Sequence, residues 1–192
     1  VTCDIAAKCG TISALPNKYA KWTSLHNMEL EELEKIVERV PSPQDIILAG
    51  MLNKKALLDM LKNFVIYETE NNKKVKKIAK HQQYRVVTKC VDRIKEGKDV
   101  TEQGGVIWHT QGSGKSLSMV WFATQLLYKL ENPPILIITD RRQLDKQIHG
   151  TFKSCGFPEP IKAKNIKHLA EELKHPQGKT IMTTIQKFGS PG

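Results

Sequence analysis

The chain is expected to be an α/β protein with a parallel sheet and flanking helices, preceded by a small helical or irregular segment, and three observations predict this. Apolar runs of strand length alternate with amphipathic stretches through the C-terminal half, the order that builds strand–helix–strand units. A glycine-rich turn, Thr110 Gln111 Gly112 Ser113 Gly114 Lys115 Ser116, sits between one such run and one such helix. At 192 residues and 40% apolar content, the chain can bury one good core, or one core with a leading piece of another.

Residues 1–27 carry Gly10, Pro16 and scattered polar residues around Trp22 without sustained periodicity, and are expected to be a linker or the tail of a preceding domain. Residues 28–40 predict an amphipathic helix with Leu30, Leu33, Ile36, Val37 and Val40 on its apolar stripe. Glu29, Glu31, Glu32 and Glu34 load its first turns, where the helix dipole favours anions, and Pro41 and Pro43 are expected to end it. A second helix is expected from about Lys54 to Leu61. Phe64–Tyr67 and Lys73–Ile78, joined through Asn71 and Asn72, predict a basic β-hairpin. Residues 28–78 thus read as a helical linker and hairpin leading into the main domain, 79–192.

That domain is expected to open with a helix over Lys80–Lys95, with Val87, Val91 and Ile94 on one side and Lys89, Arg93 and Lys95 on the other. Gly104 to Trp108 predicts a short buried strand. Beyond the glycine-rich turn, Leu117, Met119, Val120, Phe122, Ala123, Leu126 and Leu127 recur at helical spacing. Pro134–Asp140 is a continuous apolar run, as expected of a parallel strand covered on both faces. A helix starting at Asp140, another over 166–173, and a third strand over Lys179–Ile185 complete the alternation.

Thirty Lys plus Arg against 20 Asp plus Glu give a net charge of +10, which favours polyanionic partners. Cys3, Cys9, Cys90 and Cys155 show no CxxC spacing and no accompanying histidine cluster, so a zinc site or disulfide framework is not expected and a reducing cytoplasm is the simpler setting. No window approaches 18 uninterrupted apolar residues, so no membrane partner is expected.

The glycine-rich turn has the chemistry of a phosphate cradle. Several backbone N–H groups must converge on phosphate oxygens, which calls for small residues at Gly112, Ser113 and Gly114. Lys115 then reaches the β and γ phosphates, and Ser116 opens the next helix, where its hydroxyl can ligate Mg²⁺. The strict pattern has glycine where this chain has His109. A turn that merely joins strand to helix is the bland alternative, disfavoured because strand, Gly-x-Gly-Lys-Ser and apolar helix seldom coincide in this order. Upstream, the amide of Gln82 or Gln83 could pair with the N6/N7 edge of adenine. Taken alone, two glutamines are more often a polar helix face.

The order KHQQYRVV, GGVIWHTQGSGKSLSMVW, ILIITDRRQLDKQI and TIMTTIQKF strongly resembles the motor of the restriction (R) subunit of type I restriction-modification enzymes. The resemblance implies a RecA-like fold, the first motor half of a superfamily-two translocase. The first segment looks like the adenine-reading Q motif, with Gln83 the better candidate by register with Tyr84. The others look like motifs I, Ia and Ib. AKCGTISALPNKYAKW resembles the tail of the family's nuclease domain. The likeness covers nearly the whole chain but a minor part of an R subunit. No acidic Walker B pair follows the last strand, no arginine finger is present, and the nuclease residues are expected upstream.

The resemblance implies ATP with Mg²⁺ held by Thr110 to Ser116 and read by Gln83, and double-stranded DNA along Thr139, Asp140, Arg141, Arg142, Thr183, Thr184, Gln186 and Lys187. It also implies modification and specificity subunits as partners, and ATP-driven translocation with DNA cleavage by the complete enzyme. This segment alone is expected to bind nucleotide weakly and not to turn it over. Hydroxyls and cations at strand ends hold phosphates without reading bases. Asp140 capping the next helix, with solvated arginines, is the alternative at that site. The lysine run 73–80 reads as a DNA-facing hairpin or as a protected edge strand. Trp108 and His109 read as structural. Another superfamily-two helicase, or a non-hydrolysing nucleotide-dependent DNA-binding module, remains open at this point.

Overall fold

The computed structural model describes residues 1–12, 14–25 and 28–188, in two units: 1–67 with 74–89, and 68–73 with the chain from Cys90 onward. In the first unit a short antiparallel pair, β1 (Lys8–Cys9) and β2 (Ala20–Lys21), precedes α1 (Leu30–Val37), α2 (Pro43–Gly50) and α3 (Lys54–Asn63). Two-residue strands leave no periodicity to read, which is why residues 1–27 look featureless in sequence.

The helix expected over 28–40 is shorter, because Glu38 turns left-handed at φ 54° three residues before Pro41. Of its apolar stripe, Leu33 is buried and Val37 half-buried, while Leu30, Ile36 and Val40 stay exposed. Pro43 begins a helix rather than ending one. It stands in the first turn of α2, where its missing N–H is no loss. The Ser42 hydroxyl accepts the Asp45 N–H at 3.3 Å, and the Asp45 carboxylate accepts the Ser42 N–H at 2.8 Å. The Arg39 guanidinium at 2.7 Å, followed by the Ser42 donors, holds the Asp45 carboxyl at about 2, well below the usual carboxylate range.

A ring cluster closes this unit. Tyr84 lies 5.6 Å from Trp22 and 4.6 Å from Phe64 between ring centroids, and all three are buried. Trp22 donates its indole N–H to the Ser24 carbonyl at 2.8 Å, and Gly50 fits there because a Cβ would stand 1.9 Å from that same oxygen.

The hairpin forms as β3 (Val65–Glu70) and β4 (Lys73–Ile78). Asn71 and Asn72 adopt φ 48° and 60°, the left-handed pair that a two-residue turn demands and asparagine tolerates. Next, α4 (His81–Glu96) buries Val87 and Val91 as its apolar spacing predicts.

In the second unit a short helix, α5 (Val100–Gln103), is held by the Asp99 carboxylate, which accepts the Thr101 and Glu102 N–H groups. There follow α6 (Lys115–Lys129), β5 (Ile135–Thr139), α7 (Arg142–Ser154), β6 (Ile161–Lys162), α8 (Ile166–Lys174) and β7 (Thr180–Thr184). The three strands pair in parallel in the order β5-β7-β6, with Ile135 opposite Thr180 and Thr139 opposite Thr184. One face buries Val120, Ala123, Ile137, Ile148, Phe152, Phe157 and Met182 beneath α6 and α7, and Ile181 on the other face meets Ala163 and Leu169.

Two expectations fail here. Gly104–Trp108 is irregular backbone, with Val106 93% and Trp108 91% exposed, where a buried strand was expected. A run this short becomes a strand only by pairing, and no strand among the described residues pairs with it. For the same exposure, Trp108 does not pack a core as a structural residue would. The run at β5 is covered on one face rather than both: Ile137 is buried, but Leu136 and Ile138 remain 39% and 47% exposed, on the side where Leu169 of α8 meets Ile181 of β7 and Ala163.

Candidate nucleotide and nucleic-acid sites

The glycine-rich loop runs into α6 through two glycines whose backbone excludes most side chains. Gly112 takes φ 75° and Gly114 takes φ 88° as the helix N-cap, both left-handed. The glycine N-cap supplies no side-chain cap to α6, whose start carries the partial positive charge of a helix N-terminus. Thr110, Gln111, Gly112 and Lys115 are exposed, and Ser113, Gly114 and Ser116 half-buried.

Lys115 bends back over its own loop. Its ammonium donates to the His109 carbonyl at 3.0 Å and to the Thr110 carbonyl at 2.9 Å. Two further polar atoms are buried without a partner, the His109 Nδ1 and the Ser113 Oγ. A bound polyphosphate fits this set: it would offer the lysine charged acceptors stronger than amide carbonyls and the helix turn an anion. Loop-lysine bonding and the buried imidazole nitrogen have no signature in the sequence, since they depend on the fold of the loop.

Gln83 is 3% exposed and stands in the first turn of α4, where its Oε1 accepts the Lys80 N–H at 2.9 Å. It therefore has a helix-starting task besides any ligand contact. Gln82 is half-buried.

The segments 139–142 and 183–187 meet at the C-terminal ends of neighbouring parallel strands, the edge at which open α/β sheets place ligands. The Thr139 hydroxyl donates to the Thr183 carbonyl at 3.4 Å, and the Gln186 amide donates to the Asp140 carbonyl at 2.8 Å. Thr139, Thr183 and Thr184 are buried, Arg141 and Arg142 exposed. Asp140 does not cap α7, whose N-cap is Arg141 with no side-chain cap; it instead forms an exposed pair with Arg141 at 3.0 Å. Lys187 donates to the Ala163 carbonyl, anchoring the turn after β7 beside β6.

An ion pair between a buried acid and an exposed lysine has no counterpart among the sequence expectations. Asp145, 3% exposed in the first turn of α7, contacts Lys162 of β6 at 2.5 Å. Aspartate four residues into a helix reads as a surface acid, and only the fold puts β6 beside it. Among the described residues no group of three metal-ligating side chains occurs and no helix is long and apolar enough to cross a membrane.

Known proteins are similar to this chain over most of its length. The family model described as SWI2/SNF2 ATPase matches residues 82–192. A putative type I restriction enzyme MjaIXP endonuclease subunit of Methanocaldococcus jannaschii is 38% identical over 152 residues, 76% of this chain and 14% of that protein. The type I restriction enzyme HindI endonuclease subunit of Haemophilus influenzae is 34% identical over 195 residues, 96% of this chain and 18% of that protein. A Staphylococcus saprophyticus type I restriction enzyme endonuclease subunit, SsaAORF53P, is 28% identical over 168 residues, 87% of this chain and 16% of that protein. The chain thus spans less than a fifth of the length of these relatives.

Proposed function

Since this chain belongs to the SWI2/SNF2 ATPase family and its relatives are type I restriction enzyme endonuclease subunits, we propose that it is the nucleotide-binding, RecA-like first half of such a subunit's DNA motor. The observation that carries the reading is the loop of residues 109–116. Left-handed glycines, a 15-residue helix without a side-chain cap and a lysine bonded to loop carbonyls support reading it as an anion cradle.

In this reading Thr110 to Lys115 hold the phosphates of ATP, and Ser116 presents its hydroxyl to the Mg²⁺ that accompanies them. The metal's part is to neutralise charge on the transferred phosphoryl group. Lys115 leaves the His109 and Thr110 carbonyls for phosphate oxygens. Gln83 reads the adenine edge. Arg141, Arg142, Gln186 and Lys187 form part of a track for double-stranded DNA, with the uncapped start of α7 adding backbone donors; Thr139, Thr183 and Thr184, expected in that track, are buried and instead tie the strand ends together beneath it. The complete subunit would couple ATP hydrolysis to movement along DNA, work with modification and specificity subunits in the cytoplasm, and cut DNA with residues outside this chain.

Gln83→Ala tests the adenine assignment despite the residue's second task. Loss of the Lys80 bond weakens α4 for every ligand alike, so the ratio of affinities for ATP and for a nucleotide lacking the adenine amino group isolates base reading. Titration calorimetry on wild type and variant is expected to show that ratio collapsing toward one in the variant. An unchanged ratio removes Gln83 from the site.

The DNA track has its own measure. Arg141→Ala/Arg142→Ala is expected to weaken binding equally on unrelated duplexes and to lower the slope of log affinity against log salt by about two, near 0.9 for each phosphate no longer neutralised. Lys187→Ala changes the slope less, because the Ala163 carbonyl already engages its ammonium. Fluorescence anisotropy over a salt series checks both, and an unchanged slope in the double variant returns the arginines to solvent.

A further inference from the structure

The β3–β4 hairpin carries a charged face that neither the nucleotide loop nor the strand ends use. Lys74 and Lys76 are two residues apart on β4 and both exposed, so they project from the same face. On β3 the exposed ring of Tyr67, 54% accessible, joins them: the Lys76 ammonium lies 6.0 Å from its centroid. The acids of β3, Glu68 and Glu70, alternate with Tyr67 and so point to the opposite side. Alternation gives one face two cations, an aromatic ring and no acid.

We propose that this face, Lys74 and Lys76 beside Tyr67, is a second site of engagement for the DNA phosphate backbone, read without regard to base sequence. Residues i and i+2 of a strand stand about 6.7 Å apart, a spacing comparable with that of successive phosphates along a nucleic-acid strand. Two ammonium groups at that spacing can therefore engage neighbouring phosphates. The Tyr67 ring restrains the Lys76 side chain by a cation–π contact, which lowers the entropy lost when that lysine is ordered on a phosphate. Edge protection also favours lysine on a strand, but it needs neither an exposed aromatic beside the cation nor the segregation of both acids to the other side. The overall charge of +10 would draw the same polyanion toward this face.

The test is anisotropy of labelled duplexes of two unrelated sequences, titrated with the 192-residue chain between low and moderate salt. Lys74→Gln/Lys76→Gln removes both charges while keeping a polar, unbranched side chain at each position. The expected result is a salt slope lower by about two, near 0.9 for each phosphate no longer neutralised, equally on both sequences and additive with the Arg141 and Arg142 changes. Nucleotide affinity should be unaltered. Far-UV circular dichroism verifies folding, and each single variant, expected to lower the slope by about one, serves if the double variant does not fold. An unchanged slope in folded variants overturns the proposal, as does failure of the unsubstituted chain to bind duplex at low salt. A hairpin slope that is unchanged while the arginine variants lower theirs refutes this inference and leaves the strand-end track standing; the converse refutes that track alone.

Discussion

Lys115→Ala in the complete subunit is expected to reduce DNA-stimulated ATP hydrolysis by at least about a hundredfold, the usual consequence of removing one preorganised group that stabilises transition-state charge. The lysine heads α6, whose first turn has no side-chain cap, and its two bonds are to carbonyls of the loop it guards. Those carbonyl bonds are modest and solvent-exposed, so their loss costs the fold no more than about 1 kcal/mol. Phosphate release with DNA present measures the activity, and thermal denaturation separates it from stability. Lys115→Arg is expected to fail nearly as fully, because a planar fork does not reproduce a compact ammonium at the same reach. Hydrolysis near wild type in a folded Lys115→Ala protein removes the loop from the catalytic site.

Much of this architecture is legible in the sequence because it rests on local signals. Asn71-Asn72 announces a two-residue turn, and the apolar spacing of α4 and α8 marks their buried sides. The glycines at 112 and 114 are where a left-handed backbone is needed. The unread parts depend on partners distant in sequence. Val106 and Trp108 have strand-like composition, but composition supplies no neighbouring strand. Leu136 and Ile138 look interior because a parallel strand usually has helices on both sides, whereas here the two side chains stay 39% and 47% exposed while Leu169 of α8 meets Ile181 of β7. Pro43 stops a helix when read after α1 and starts one when read with Ser42 and Asp45, and the capping pair decides between the two.

The candidate sites divide in the same way. A phosphate loop is one contiguous stretch, so its residue types declare it. The bonds that hold it ready, Lys115 to the His109 and Thr110 carbonyls, emerge only once the turn is folded. Gln83 shows a residue type suiting two tasks, adenine reading and helix starting, between which sequence alone does not choose. The strand-end residues of β5 and β7 are distant in sequence and become neighbours only through the parallel pairing that sets Thr139 opposite Thr184.

Phe152→Ala is expected to destabilise the second unit by about 3–5 kcal/mol, the range for truncating a fully buried aromatic. Phe152 has no exposed surface and meets Phe157 edge-on, with ring centroids 4.9 Å apart, in the cluster that includes Val120 and Ala123 of α6, Ile137 of β5 and Met182 of β7. Against a typical domain stability of about 5–15 kcal/mol, such a loss is a large fraction of the total. Urea denaturation followed by circular dichroism should show the midpoint falling with little change in slope, the mark of lost stability rather than an altered unfolded state. Phe152→Leu, which keeps most of the volume, should cost under about 1.5 kcal/mol. Phe188→Ala, at a side chain 47% exposed, is the surface control. A Phe152→Ala midpoint no lower than that of the control would mean the cluster is not the core of the unit. The functional consequence follows from what the cluster joins: it packs α6, which begins at Lys115, and α7, which begins at Arg142, onto the sheet, so losing the buried ring loosens the seating of both helices. Loss of nucleotide and DNA affinity together in Phe152→Ala, with partial recovery of both in Phe152→Leu, is the pattern expected if the two sites share this support.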